Sequence, residues 1–208
     1  NMANFSTPQP CFESMYCPEG SRTPRGSGLC PEGFYCPFSK KIPCPVGTYC
    51  PRPGRHDPLP CRPGTFNAMV GQLECTSCPR GYICPGFGRI HPAICPPGYV
   101  CSRTELTSPN IRCPAGFYCP TGSSNPIHCG NHSVYCPFGS VLPIQVSAGY
   151  YTTQGTYDGS ADGLNSTRSW QLICEPGFYC IDGVKQPCNS GLYVWVVSLC
   201  VCVCVCVV

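Results

Sequence analysis

The sequence predicts a fold of small disulfide-rich repeats: irregular turns and short β-hairpins, little or no helix, arranged as an elongated tandem array. Three observations predict it. First, 23 of 208 residues are Cys, about one in nine, above the roughly 8–10% that marks a disulfide scaffold from an oxidising compartment. Second, Leu, Ile, Val and Phe together number only 32 in the first 188 residues, too few for one large core. Net charge is nevertheless only +3, with 11% charged residues, well below what keeps a disordered chain expanded. Third, one short cysteine motif recurs along the chain. A chain short of both core and charge is held by cross-links, each worth about 2–4 kcal/mol, mostly by restricting the unfolded state.

The motif reads Cys30-Pro-Glu-Gly-Phe-Tyr-Cys36, Cys44-Pro-Val-Gly-Thr-Tyr-Cys50 and Cys78-Pro-Arg-Gly-Tyr-Ile-Cys84. It returns as Cys95-Pro-Pro-Gly-Tyr-Val-Cys101, Cys113-Pro-Ala-Gly-Phe-Tyr-Cys119 and Cys174-Glu-Pro-Gly-Phe-Tyr-Cys180. Degenerate copies run from Cys11 to Cys17, without the Pro and Gly, and from Cys129 to Cys136, one residue longer. Pro in second place and Gly in fourth fit a type I turn beginning at the cysteine; in the last copy the adjacent Pro176-Gly177 favour type II. The aromatic before the second cysteine (Tyr35, Tyr49, Tyr118, Tyr179) is expected to cover a disulfide. Pro often follows that cysteine and discourages helix, so no helix is expected before residue 189.

Two longer stretches complete the pattern. Cys61 to Cys75, with Cys78 close behind, reads as a hairpin leading into the next copy. Residues 137–173 contain no Cys; within them 149–153 and 167–173 alternate as two antiparallel strands. The Gly-, Asp- and Ser-rich residues 156–166 between them read as an exposed loop.

The cysteines Cys11, Cys17, Cys30, Cys36, Cys44, Cys50, Cys61, Cys75, Cys78, Cys84, Cys95, Cys101, Cys113, Cys119, Cys129, Cys136, Cys174 and Cys180 are disulfide candidates. Their connectivity is left open, because pairing within or between motifs differs by only about 1 kcal/mol in loop closure. Setting aside the last four cysteines leaves an odd number, and Cys188 is the expected unpaired thiol. Zinc is disfavoured: Cys75 and Cys78 form the one Cys-x-x-Cys before the tail, whereas structural sites usually use two. No cofactor is expected. His56, His91, His128 and His132 stand in turn-like or polar contexts without a positioned partner, and no catalytic motif is present; the chain is read as a non-enzyme. Positive charge is scattered, which argues against nucleic acid. Asn4, Asn131 and Asn165 head N-glycosylation sequons.

The block from Cys61 through Gly71, Cys75 and Cys78 to Cys84 resembles the cysteine-rich repeat of ephrin-receptor ectodomains, related in style to EGF-like and TNF-receptor modules. Residues 135–188 resemble the longer repeat of very large extracellular proteins, mastigoneme-like flagellar-hair proteins among them. The resemblance implies a secreted or cell-surface glycoprotein segment of structural or interaction type. Its implied partners are other extracellular proteins or further repeats of the same chain, and there are no catalytic residues to carry over. The alternative is a ligand-binding or adhesion receptor ectodomain with a C-terminal membrane anchor.

The reading divides the chain into cysteine repeats over 1–60, ephrin-receptor-like repeats over 61–136, a longer truncated repeat over 137–192, and an apolar Val-Cys tail over 193–208. Alternating Val-Cys is what a GT dinucleotide repeat encodes in frame, so the tail reads as a gene-model artefact. A spanning segment of about 20 residues, an exposed strand and a soft-metal site are its rivals, and a membrane is a partner only if the tail is genuine. Opening on Asn1-Met2 with no signal peptide, the sequence reads as an internal piece of a longer protein.

Overall fold

The computed structural model describes residues 10–153 and 167–188. Among these it contains short strands and turns, one of them the tight turn Pro37–Ser39 with Phe38 and Ser39 at positive φ, and no α-helix. The fold is the disulfide-rich repeat class that composition predicts. It divides into two compact units, Asn1–Ala93 with Arg103–Ser108 and Ile94–Ser102 with Pro109–Val208.

Among the described residues nine two-stranded hairpins carry the architecture. In the first unit β1 (Phe34–Tyr35) pairs with β2 (Ile42–Pro43), β3 (Thr48–Tyr49) with β4 (Leu59–Pro60), and β5 (Thr65–Phe66) with β6 (Thr76–Ser77). Next comes the hairpin of β7 (Tyr82–Ile83) and β8 (Ala93–Ile94). In the second unit β9 (Tyr99–Val100) pairs with β10 (Ile111–Arg112), β11 (Phe117–Tyr118) with β12 (Ile127–His128), and β13 (Val134–Tyr135) with β14 (Ile144–Gln145). Two longer hairpins follow, β15 (Tyr150–Thr153) with β16 (Trp170–Ile173) and β17 (Phe178–Ile181) with β18 (Val184–Pro187). Both strands expected in the Cys-free stretch are therefore present, antiparallel and in register from Tyr150↔Ile173 to Thr153↔Trp170. The last hairpin closes on Asp182-Gly183, both at positive φ (50° and 77°), the pattern of a type I′ turn.

The turn that opens each copy begins one residue later than the spacing suggests. Phe34 N–H donates to Pro31 C=O (3.2 Å), Thr48 N–H to Pro45 C=O (3.1 Å) and Phe117 N–H to Pro114 C=O (3.2 Å). Gly is thus the third turn residue, at φ 76° in Gly33 and 83° in Gly116. That is the left-handed position of a type II turn, the geometry expected of the last copy alone. A type I turn would put a right-handed residue there.

All eighteen candidate cysteines pair, each with the next along the chain: Cys11–Cys17, Cys30–Cys36, Cys44–Cys50, Cys61–Cys75, Cys78–Cys84, Cys95–Cys101, Cys113–Cys119, Cys129–Cys136 and Cys174–Cys180. Cys188 is disulfide-bonded too, so it is not the unpaired thiol expected. The bridges are also the interior. Among the described residues, every buried apolar side chain apart from Val100 and Ala115 is a cysteine, and Phe117 packs over Val100 and the Cys113–Cys119 bridge.

Within each unit backbone bonds bind one copy to the next, and they repeat. In the first unit Gly47 N–H donates to Asn67 C=O (2.8 Å), and Cys61 N–H donates back to Gly47 C=O (2.9 Å). Cys50 N–H donates to Gln72 C=O (2.9 Å), and Gly71 N–H donates to Cys44 C=O (2.8 Å). The second unit repeats the set: Gly116 to Cys136, Cys129 to Gly116, Cys119 to Ser140 and Gly139 to Cys113, each at 2.8–3.0 Å. Buried backbone groups that no long sheet could satisfy are thereby paired.

Two copies keep this bonding without the usual bridge. In Cys61-Arg-Pro-Gly-Thr-Phe-Asn67 an asparagine stands where the second cysteine belongs. Asn67 is only 2% exposed; its Nδ2 donates to Thr48 C=O and Glu74 C=O (both 3.0 Å) and lies 3.6 Å from Cys75 Sγ. Cys61 reaches past it to Cys75. Val146-Ser-Ala-Gly-Tyr-Tyr-Thr152 is a copy with no cysteine at all. Val146 N–H donates to Ser133 C=O (3.0 Å), Cys174 N–H to Gly149 C=O (2.9 Å) and Thr152 N–H to Gly183 C=O (2.9 Å). The buried Thr152 hydroxyl, in a cysteine's place, donates to His132 C=O (2.8 Å).

Candidate interaction surface

The loop after each second cysteine is where the copies differ most. A left-handed residue recurs at one place in it, occupied by Gly54, Gly71 and Gly88 in the first unit and by Gly122 and Gly139 in the second. From Gly54 to Gly139 this position recurs every seventeen residues. Two side chains break the series. Glu105 (φ 60°) falls in step with it, and Phe38 (φ 51°) takes the equivalent place in a shorter loop. A left-handed backbone costs a side chain-bearing residue about 1–2 kcal/mol, and a bulky aromatic there is unusual.

Glu105 is held by compensating contacts. One carboxylate oxygen accepts from Ser77 Oγ (2.7 Å), the other from Arg62 Nη2 (3.0 Å). The Ser77 bond, then the Arg62 bond and charge, hold its carboxyl below the ordinary glutamate range.

Phe38 has no such compensation: its side chain is 91% exposed. It stands on the rim of a cleft of about 490 Å³ with Pro10, Glu13, Ser14 and His56. His56 Nδ1 lies 3.0 Å from the Asp57 carboxylate, and that hydrogen bond, followed by the Asp57 charge, raises the His56 pKa above its ordinary value. The arrangement offers an apolar knob beside a pH-responsive pair, which suits contact with another surface.

In the second unit the Cys-free copy borders a different arrangement. Lys185 Nζ sits 2.5 Å from Glu175 and lies over the rings of Phe178 (4.1 Å) and Tyr151 (5.0 Å). Tyr151 Oη donates to Glu175 at 3.2 Å. Glu175 is held below the usual carboxylate range, first by the Lys185 hydrogen bond and then by its own backbone amide. Cations between aromatics recur: Lys41 over Tyr16 and Phe34, and Arg112 over Tyr99 and Phe138. Such contacts contribute about 0.5–1 kcal/mol at exposed sites and tie neighbouring copies.

The four histidines are exposed. His128 lies in β12 rather than a loop, its ring 4.7 Å from that of Phe117. Cys75 and Cys78 are committed to different bridges. Among the described residues no group of three or more His, Cys, Asp or Glu is placed to hold a metal ion, and no helix is long and apolar enough to cross a membrane. Asn131 is exposed; Asn4, Asn165, the loop 156–166 and the tail 193–208 lie outside the described residues.

Sequence reading missed Asn67, Thr152, Phe38 and Glu105. The first two were findable: Pro-Gly-Thr-Phe before Asn67 and Gly-Tyr-Tyr before Thr152 keep the motif when its cysteine is lost. No protein-family model matches this chain, and no curated protein matches it.

Proposed function

We propose that the chain is a structural and interaction segment of an extracellular cysteine-rich glycoprotein, with no catalytic role, which presents variable loops on a stapled framework. The single observation that carries this reading is how the motif is used. Cysteine, turn glycine and aromatic are all consumed in joining one copy to the next, and only the loop after each second cysteine is left to vary. Such bridge density belongs to an oxidising compartment, and the resemblance to ephrin-receptor-like and mastigoneme-like repeats points the same way. Partners would be other extracellular proteins or further repeats. The three sequons fit passage through a secretory lumen.

The test is to secrete the full chain behind a leader peptide and compare it with and without reductant. Oxidised protein should resist protease and keep its far-UV spectrum, and reductant should abolish both. Unchanged protease resistance and spectrum after full reduction would reject the reading, as would turnover of any substrate by the purified chain.

A further inference from the structure

We infer that Asn131 carries an N-linked glycan, on a turn built so that the repeat folds the same with or without the sugar. This rests on the secretory reading above.

The copy from Cys129 to Cys136 lacks the Pro-x-Gly turn, and the sequon Asn131-His132-Ser133 does that turn's work. Val134 N–H donates to Asn131 C=O (3.3 Å), the bond that Phe117 makes to Pro114 one copy earlier. Ser133 C=O accepts from Val146 N–H (3.0 Å), as a turn glycine accepts from the next first cysteine. Gly130 precedes the turn at φ 112°, but with neither Pro nor Gly inside it the Asn131 side chain braces the turn. Its Oδ1 accepts from Ser133 N–H (3.1 Å) and from Ser133 Oγ–H (2.6 Å), an Asx turn.

Both bonds use the oxygen. Nδ2 has no partner among the described residues, and the residue is exposed. Glycosylation uses only that nitrogen. A bond forms between Nδ2 and the anomeric carbon of an oligosaccharide carried on a lipid pyrophosphate. The carbon–oxygen bond to the pyrophosphate breaks, the lipid pyrophosphate leaves with the electron pair, and Nδ2 loses one proton. The product is still an amide whose Oδ1 accepts two hydrogen bonds, so the Asx turn survives the modification.

The experiment is site-resolved mass mapping of the full chain secreted from a eukaryotic host, with the sugar removed enzymatically in heavy-oxygen water. Removal leaves a labelled Asp, which fragmentation assigns to position 131. Asn131 should be tagged in the wild type and in Ser133→Thr, and untagged in Ser133→Ala. Asn131→Asp, which keeps the acceptor oxygen, should be unglycosylated there yet match the wild type in disulfide pattern and unfolding midpoint. Asn131→Gln, whose longer side chain misplaces the oxygen, should unfold at lower denaturant. Bare Asn131 in a chain with its bridges formed would overturn this inference and leave the secretory reading standing. Bridges absent from the secreted chain would overturn that reading instead, with occupancy at Asn131 still read directly. A midpoint that falls as far on sugar removal as on Asn131→Gln would overturn the claim that the turn is independent of the sugar.

Discussion

The carbonyl oxygen of Gly71 stands 2.6 Å from where a Cβ on Gly33 would be, although two intervening cysteine motifs separate the two residues in sequence. The same approach recurs between Gly64 and Glu105 (2.6 Å) and, in the second unit, between Gly98 and Gly139 (2.8 Å). The turn glycine of one copy therefore meets the loop two copies further on, as a Cα–H facing a carbonyl. Two constraints coincide at Gly33: positive φ (76°) and no room for a methyl group.

Gly33→Ala should therefore cost roughly 3 kcal/mol, combining left-handed strain of about 1–2 kcal/mol with displacement of backbone. Gly177→Ala is the matched control. Its φ is 86°, but nothing lies within 4 Å of the added Cβ, so only about 1 kcal/mol is expected. Denaturant unfolding of the oxidised proteins checks the pair, and equal losses would show that packing against Gly71 adds nothing.

Asn67→Ala should destabilise by about 2–3 kcal/mol, because the carbonyls of Thr48 and Glu74 lose their donor. The bridge Cys61–Cys75 should still form, so disulfide mapping and chemical unfolding together separate a lost hydrogen-bond hub from a lost staple.

Phe38→Gly should stabilise the chain by up to about 1 kcal/mol, since it relieves a left-handed aromatic that is exposed and forfeits little packing. If Phe38 anchors a partner, the same change should weaken that contact. A rise in unfolding midpoint is the readout, and a fall would mean that the ring packs in solution.

Two ion pairs should give opposite pH responses. The Glu105 pKa is lowered from its ordinary 4.5, so its contribution is present above that value and is lost as pH falls through the lower folded one. The His56 pKa is raised from 6.5, so its contribution is present below 6.5 and is lost as pH rises through the higher folded one. Unfolding midpoints of Glu105→Gln should converge on wild type at acid pH. Those of Asp57→Asn should converge on wild type at alkaline pH.

Reduction should begin at Cys11–Cys17 and Cys174–Cys180, where both sulfur-bearing residues are partly exposed, and reach Cys44–Cys50 late, where both are fully buried. Thiolate attack needs access to a sulfur. Timed alkylation with mass mapping gives the order, and simultaneous loss of all bridges would show one cooperative opening instead.

The period and the cysteines were legible from residue order alone, because Cys, Pro, Gly and Tyr recur at fixed places. The pairing was not, since loop closure for Cys30–Cys36 or Cys36–Cys44 differs by a fraction of a kcal/mol; the turn geometry at Gly33 settles it. The turn register was off by one because type I and type II both tolerate Pro early, and only the sign of φ at Gly distinguishes them. Asn67 and Thr152 were hidden for another reason. What defines a copy is its backbone bonding to the next, and a search keyed to cysteine passes over copies where a hydrogen bond replaces sulfur.

The offset backbone bonding also bears on where the chain can be cut. Cys36 N–H finds its acceptor at Arg55 (2.8 Å), and Cys30 C=O finds its donor at Gly54 (2.7 Å), both past the end of the following motif at Cys50. Motif borders and structural borders are out of phase. A fragment trimmed neatly at a closing cysteine strands polar groups in the copy before it, whereas one that runs on through the next loop keeps them paired. Boundaries drawn by the sulfur pattern are thus the wrong places to excise a stable piece, and the left-handed loop residue is the better marker.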